Sequence, residues 1–204
     1  VPEAWSDTRA PYSALQPKTV NLYQLCHHLI KPCTEVTKSS YVEFVAQDKQ
    51  DPRWFVSHWW GESILDFVAC LEKHSDVRQL GKKSPYWVCA YGNNQWHAAD
   101  DVGAKPMESA FMRGMLLADG VVHVLDQAGV CYTRVWCNFE VWVSLIRIVR
   151  MEGKADFRYE VYTALPEPRG QGTSNQEQKY EGQVAVGMTQ GPTECELEET
   201  YPND

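Results

Sequence analysis

The sequence predicts an α/β domain built on a parallel β-sheet with helices on both faces. Three observations predict it. Short β-rich apolar runs alternate with longer amphipathic stretches between residues 53 and 165. The runs are apolar throughout instead of alternating with polar residues, as strands buried on both faces must be. The stretches between them can serve as the crossover helices that parallel neighbours require.

Each element follows in order. "RWFVSHWW" (53–60) is an apolar run that meets a turn at Gly61. "ESILDFVACLEKH" (62–74) places Ile64, Phe67, Val68 and Leu71 on one helical face. "PYWVCAY" (85–91) reads as the second strand, and "GNNQWHAADDVGAKP" (92–106) as a long loop. "MESAFMRGMLLAD" (107–119) is helical and ends at Gly120, and "VVHVLD" (121–126) is the third strand. Residues 133–150 form a strongly apolar helix with Thr133 as its N-cap. "FRYEVYTAL" (157–165) is the fourth strand, closed by "PEP". No fifth strand and helix follow, so the C-terminal edge of the sheet is expected to be incomplete.

The flanks differ in character. Residues 1–19 carry Pro and Ser without periodicity and read as an extended N-terminal arm. Residues 20–52 form a helical extension. In it "NLYQLCHHLI" (21–30) has helical spacing stopped by Pro32, and "SYVEFVAQ" (40–47) fits either a short helix or a strand. The α/β domain then spans 53–166. Residues 167–204 hold eight acidic and two basic side chains, few aromatics and no period, and are expected to be unstructured or laid along another surface.

Composition narrows the function classes. The net charge of −8 lies mostly in that tail and argues against a nucleic-acid partner. The 44% apolar content and eight Trp fit a chain with a real core. Seven Cys with no CxxC pair point to reduced thiols and a cytoplasmic location, and no apolar run approaches a membrane span. His27 and His28 lack partners at metal spacing, so no metal site is expected. The absence of GxGxxG and GxxxxGK patterns gives no support to a dinucleotide oxidoreductase or a P-loop enzyme.

In such sheets ligands gather at the carboxyl ends of the strands. The loops there are "SHWWGES" (57–63), "YGNNQWH" (91–97) and "DQAGVCYT" (126–133). Beyond them Glu140 stands alone in the apolar helix "VWCNFEVWVSL" (135–145), one turn after Trp136 and near Cys137. It is either a ligand-contacting carboxylate or a structural one paired with a neighbour such as Arg134 or Arg147. His58 could meet a phosphate or ribose hydroxyl, or be a packed edge histidine. Trp59 and Trp60 could stack on a ring, with at least one expected in the core. Asn93 and Asn94 suit ligand polar groups or simply a turn.

The run "WFVSHWWGE" resembles the first strand and turn of the TIR (Toll/interleukin receptor) family, where an apolar strand ends in Ser, here Ser57. "GVVHVLDQAGVCYTRVWCNFEVWVSL" is similar to that family's third strand, loop and following helix, with Trp136, Cys137 and Glu140 in its Trp-Cys-x-x-Glu pattern. The resemblance covers roughly residues 53–165. It implies a flavodoxin-like domain, self-association, and in enzymatic members cleavage of the nicotinamide–ribose bond of NAD with Glu140 as catalytic residue. NAD would be the substrate, and no cofactor is implied. Substrate contacts would come from Ser57, His58, Trp59, Trp60, Asn93, Trp136 and Cys137. Two other expectations stand beside this one. The first is a non-catalytic interaction module whose acidic tail meets a protein partner. The second is a related ribose-acting enzyme such as a nucleoside deoxyribosyltransferase.

Overall fold

The computed structural model describes residues 5, 14–98, 105–150, 157–165, 183–190 and 194–197. Six strands form one sheet: β1 (Trp54–His58), β2 (Tyr86–Val88), β3 (Gly120–Val124), β4 (Arg158–Leu165), β5 (Gln183–Gln190) and β6 (Glu194–Leu197). Their spatial order is β2-β1-β3-β4-β5-β6. The first four are parallel, with Trp54 opposite Tyr86 and Gly120, and Gly120 opposite Arg158. This is the doubly wound, flavodoxin-like arrangement, and its strand order reverses between β1 and β3.

The helices are α1 (Leu22–Leu25), a π turn (Cys26–Ile30), α2 (Lys31–Cys33), α3 (Tyr41–Val45), α4 (Ile64–Val77), α5 (Cys89–Gly92), α6 (Ala110–Leu117) and α7 (Val135–Arg150). Their starts follow local chemistry. Asn21 and Gln24 make a reciprocal capping box at α1, Ser63 caps α4 through Leu65 N, and Ser109 caps α6 through Met112 N. The 40–47 stretch resolves as a helix because Ser40 and Glu43 form another capping box. Thr133 does not cap α7. Its hydroxyl donates to Val130 O inside a short 3₁₀ turn, while Arg134 O receives the first helical N–H, from Asn138. The second strand is shorter than the apolar run that announces it, because Cys89–Gly92 coil into α5.

Strand alternation sends the side chains to two cores. Trp54, Val56, Val88, Val122, Val124, Tyr162 and Ala164 face α4, where they meet Phe67 and Cys70. Leu22, Cys26 and Ile30 close this same core, so the N-terminal extension is integral to it. Burying side chains such as Leu22 and Ile30 stabilises the fold by about 1.5–3 kcal/mol each. Phe55, Val121 and Tyr159 face the other way, onto Met112, Met115 and Ala118 and onto Val143 of α7.

The acidic tail, expected to be unstructured or laid along another surface, contributes β5 antiparallel to β4 and β6 antiparallel to β5. Val184, Val186 and Met188 alternate in "QVAVGMTQ", a period-two signal that the surrounding Gln- and Glu-rich composition masks. The expected N-terminal arm lies mostly outside the described residues. Among the described residues Cys26, Cys33, Cys70, Cys89, Cys131 and Cys137 are free thiols. No described helix is long and apolar enough to cross a membrane.

Candidate functional site

The carboxyl end of β1 and the first two turns of α7 meet at one point. Ser57 is the last β1 residue facing α7, and its hydroxyl donates to Glu140 Oε2 at 2.5 Å. Glu140 is 4% exposed, and this is its one side-chain hydrogen bond among the described residues. Neither arginine considered as its partner bonds it. Arg147 instead donates to Met115 O, and Arg134 lies exposed. Burial therefore pushes the Glu140 carboxyl up to about 8, and only the Ser57 hydroxyl pulls the other way.

Two thiols, Cys137 and Cys89, feel the charge of this acid. Cys137, one turn before it on α7, directs Sγ at His58 O over 3.6 Å. Cys89, just past β2, receives the Trp60 indole N–H at 2.9 Å and lies 3.6 Å from His58 Nε2. Both thiols are pushed up to about 12, chiefly by burial, with the Glu140 charge adding to the effect. They are poor nucleophiles in this setting.

His58 sits one residue beyond Ser57 and so turns its ring to the α4 face, edge-on to Phe67 at 4.9 Å. It is 6% exposed, and burial holds it down at about 4, so the ring is neutral. The imidazole and the Glu140 carboxyl thus occupy opposite faces of the sheet.

The remaining expected residues divide. Trp60 packs against the α4-side core and so is the core tryptophan of the pair. The Trp59 ring lies over Gly61, where any Cβ would collide with it, so the turn needs glycine for close approach. Trp136 stacks on Phe111 at 5.1 Å and meets Phe139 edge-on. Asn93 is the C-cap of α5 and lines a cavity on the far side of β2. The structure therefore gathers Ser57, Cys137 and Glu140 with the His58 backbone beside them, and sets Trp60 in the α4-side core and Asn93 on the cavity beyond β2.

Two acids at the same strand edge carry no role in the sequence reading. Asp126 follows β3 and accepts backbone N–H groups from Ala128, Val130 and Cys131. Gly129, at φ +65°, supplies the left-handed residue that closes this loop. The signal was an Asp three residues before a Gly at a strand end, which is turn chemistry. Glu62 is 7% exposed and its Oε2 has no hydrogen-bond partner among the described residues. Burial first, then Asp126 and Asp66, push it up to about 8. No sequence pattern distinguishes it from an ordinary turn carboxylate. His123, held near 4 by burial, reaches Cys131 Sγ over 3.1 Å beneath the ring of Tyr132.

Comparison with family models, curated proteins and solved structures finds no match for this chain.

Proposed function

We propose that the chain is a TIR-like domain that cleaves the nicotinamide–ribose bond of NAD, with Glu140 as the catalytic residue. One observation carries this reading. A carboxyl group lies buried at the carboxyl end of β1, beside the reversal in strand order, with a lone serine hydroxyl as partner. Burying an acid without a cation is costly, and such groups concentrate at sites of chemistry.

The reaction needs little else. The C1′–N bond breaks, its electron pair passes to the pyridinium nitrogen, and nicotinamide departs neutral. The ribosyl fragment is left as an oxocarbenium-like cation that a carboxylate stabilises. Water then adds at C1′ and loses a proton. No general acid is required, unlike glycoside hydrolysis with two carboxyls. The positive nicotinamide ring favours ionised Glu140, so substrate itself helps convert the buried acid into the useful carboxylate. Ribose access requires displacement of the side chains that leave Glu140 only 4% exposed.

That same burial favours a second reading, a non-catalytic interaction module in which Glu140 merely fastens α7 to β1. Incubation with NAD at high protein concentration, with nicotinamide measured by chromatography, separates the two. Under the enzymatic reading nicotinamide accumulates, and Glu140→Gln lowers its release by a factor on the order of a hundred or more. The circular dichroism of that variant stays unchanged. No release at any protein concentration, or equal release by the variant, defeats the enzymatic reading. Free nucleosides in a parallel incubation test the ribosyltransferase alternative.

A further inference from the structure

A cavity of about 340 Å³ lies along the outer edge of β2, between α6 and the segment 49–52. It is separate from Glu140, which bonds to β1 on the inner side of the sheet. Tyr86, Trp87 and Tyr91 give it aromatic walls. Trp87 is held firmly there: its ring stacks on Phe55 at 4.8 Å, and Gly92 and Gly114 leave room where any Cβ would crowd the indole. The volume falls at the small end of ligand pockets, suited to one base with its sugar and not to a dinucleotide.

Two polar features define what it takes. Asn93 lines the cavity, is 6% exposed, and its Oδ1 has no hydrogen-bond partner among the described residues. A buried acceptor in this condition calls for a donor. The lining also holds two cations, Lys49 and Arg113, against one carboxylate, Asp51. Lys49 is tied to Asp51 at 2.7 Å, whereas exposed Arg113, among the described residues, donates only to Glu108 O, at 2.8 Å. The rim therefore favours an anionic group near Arg113.

We propose that this cavity binds an adenine mononucleotide, with Asn93 reading the base and Arg113 meeting the phosphate. A primary amide offers an acceptor and a donor side by side, which matches the amino donor and N7 acceptor of adenine. The same edge of guanine presents two acceptors, which leaves the Asn93 oxygen unpaired. Presenting the amide to the base takes a turn about the last side-chain bond of Asn93, which is a soft torsion. The aromatic walls flank the base.

Titration of the full chain with AMP and with GMP tests this, using tryptophan fluorescence, to which Trp87 reports, and calorimetry. AMP is expected to saturate a single site, about tenfold or more tighter than GMP. Arg113→Glu, a surface change, is expected to weaken AMP at least about fivefold, since it turns a phosphate contact into repulsion. Asn93→Leu removes the preference for AMP, and should that variant fold poorly the GMP comparison and Arg113→Glu still decide. Glu140→Gln leaves AMP affinity unchanged, which keeps this site distinct from the proposed NAD site. No saturable AMP binding at millimolar concentration, equal affinity for GMP, or indifference to Arg113→Glu overturns the proposal.

Discussion

Glu140 keeps its proton to about pH 8 because the protein interior replaces water around it and offers a single hydroxyl in return. Among the described residues Ser57 is consequently the one polar group through which the acid can be tuned. Ser57→Ala removes the only interaction that lowers the Glu140 pKa, so the carboxylate should appear at still higher pH. In the proposed reaction kcat/KM reports the free protein, and its rising limb should move from about pH 8 to a more alkaline value. Stability at pH 6, where the acid is protonated, should fall by about 1 kcal/mol for the lost bond. A limb that stays in place would mean that a group other than Glu140 controls it. Glu140 itself was legible because an ionisable residue in an apolar helix is conspicuous. The split between Ser57 and His58 onto opposite faces is also implicit in strand alternation, although their adjacency in sequence suggested a shared cleft. Glu62 and Asp126 were not legible, since their effect depends on two loops meeting in space.

Helix α4 is fastened to β4 by a second buried acid with a different environment. Glu160 is fully buried, forms an ion pair with Arg78 just past the end of α4, and accepts the Tyr162 hydroxyl at 3.0 Å. His74, one turn earlier, bonds Tyr86 OH through Nδ1 at 2.7 Å, and its imidazole is held down at about 4 by burial and by the nearby Arg78 charge. One helix end is thereby tied to both β2 and β4. Arg78→Met should destabilise the fold by about 3–5 kcal/mol, because it strands the Glu160 charge in a dry interior. The double variant Arg78→Met with Glu160→Leu should recover most of that loss in urea unfolding. If the single variant costs less than about 1 kcal/mol, the pair behaves as a solvated surface pair would. Apolar runs located all four parallel strands, since burial on both faces dictates their composition. The tail strands escaped notice because strands added antiparallel beyond the parallel sheet need only a weak alternating pattern. The α4–β4 ion pair could not be foreseen either: Arg78 and Glu160 are brought together only by the crossover through β3.

Across the whole molecule, buried titratable groups of two kinds oppose each other. His58, His74 and His123 are each held near 4, below their ordinary 6.5, so the unfolded chain takes up more protons between those values. Their contribution is complete above about pH 6.5 and is lost as pH falls through 4. Glu62 and Glu140 are each raised from 4.5 to about 8, so the folded chain holds more protons in that interval. Their contribution is complete below about 4.5 and is lost as pH rises through 8. Between 4.5 and 6.5 three histidines outweigh two acids, and stability should climb by up to about 1.4 kcal/mol per pH unit. Above 6.5, of these five groups only the acids still change the balance, and the slope should reverse and become up to twice as steep. The melting temperature measured from pH 5 to 8.5 should therefore peak near 6.5. Glu62→Gln and Glu140→Gln should each remove about half of the decline on the alkaline side. A melting temperature that goes on rising to pH 8 in the unmodified chain would show that both acids ionise at ordinary pH, and would leave the burial of Glu140 without chemical consequence.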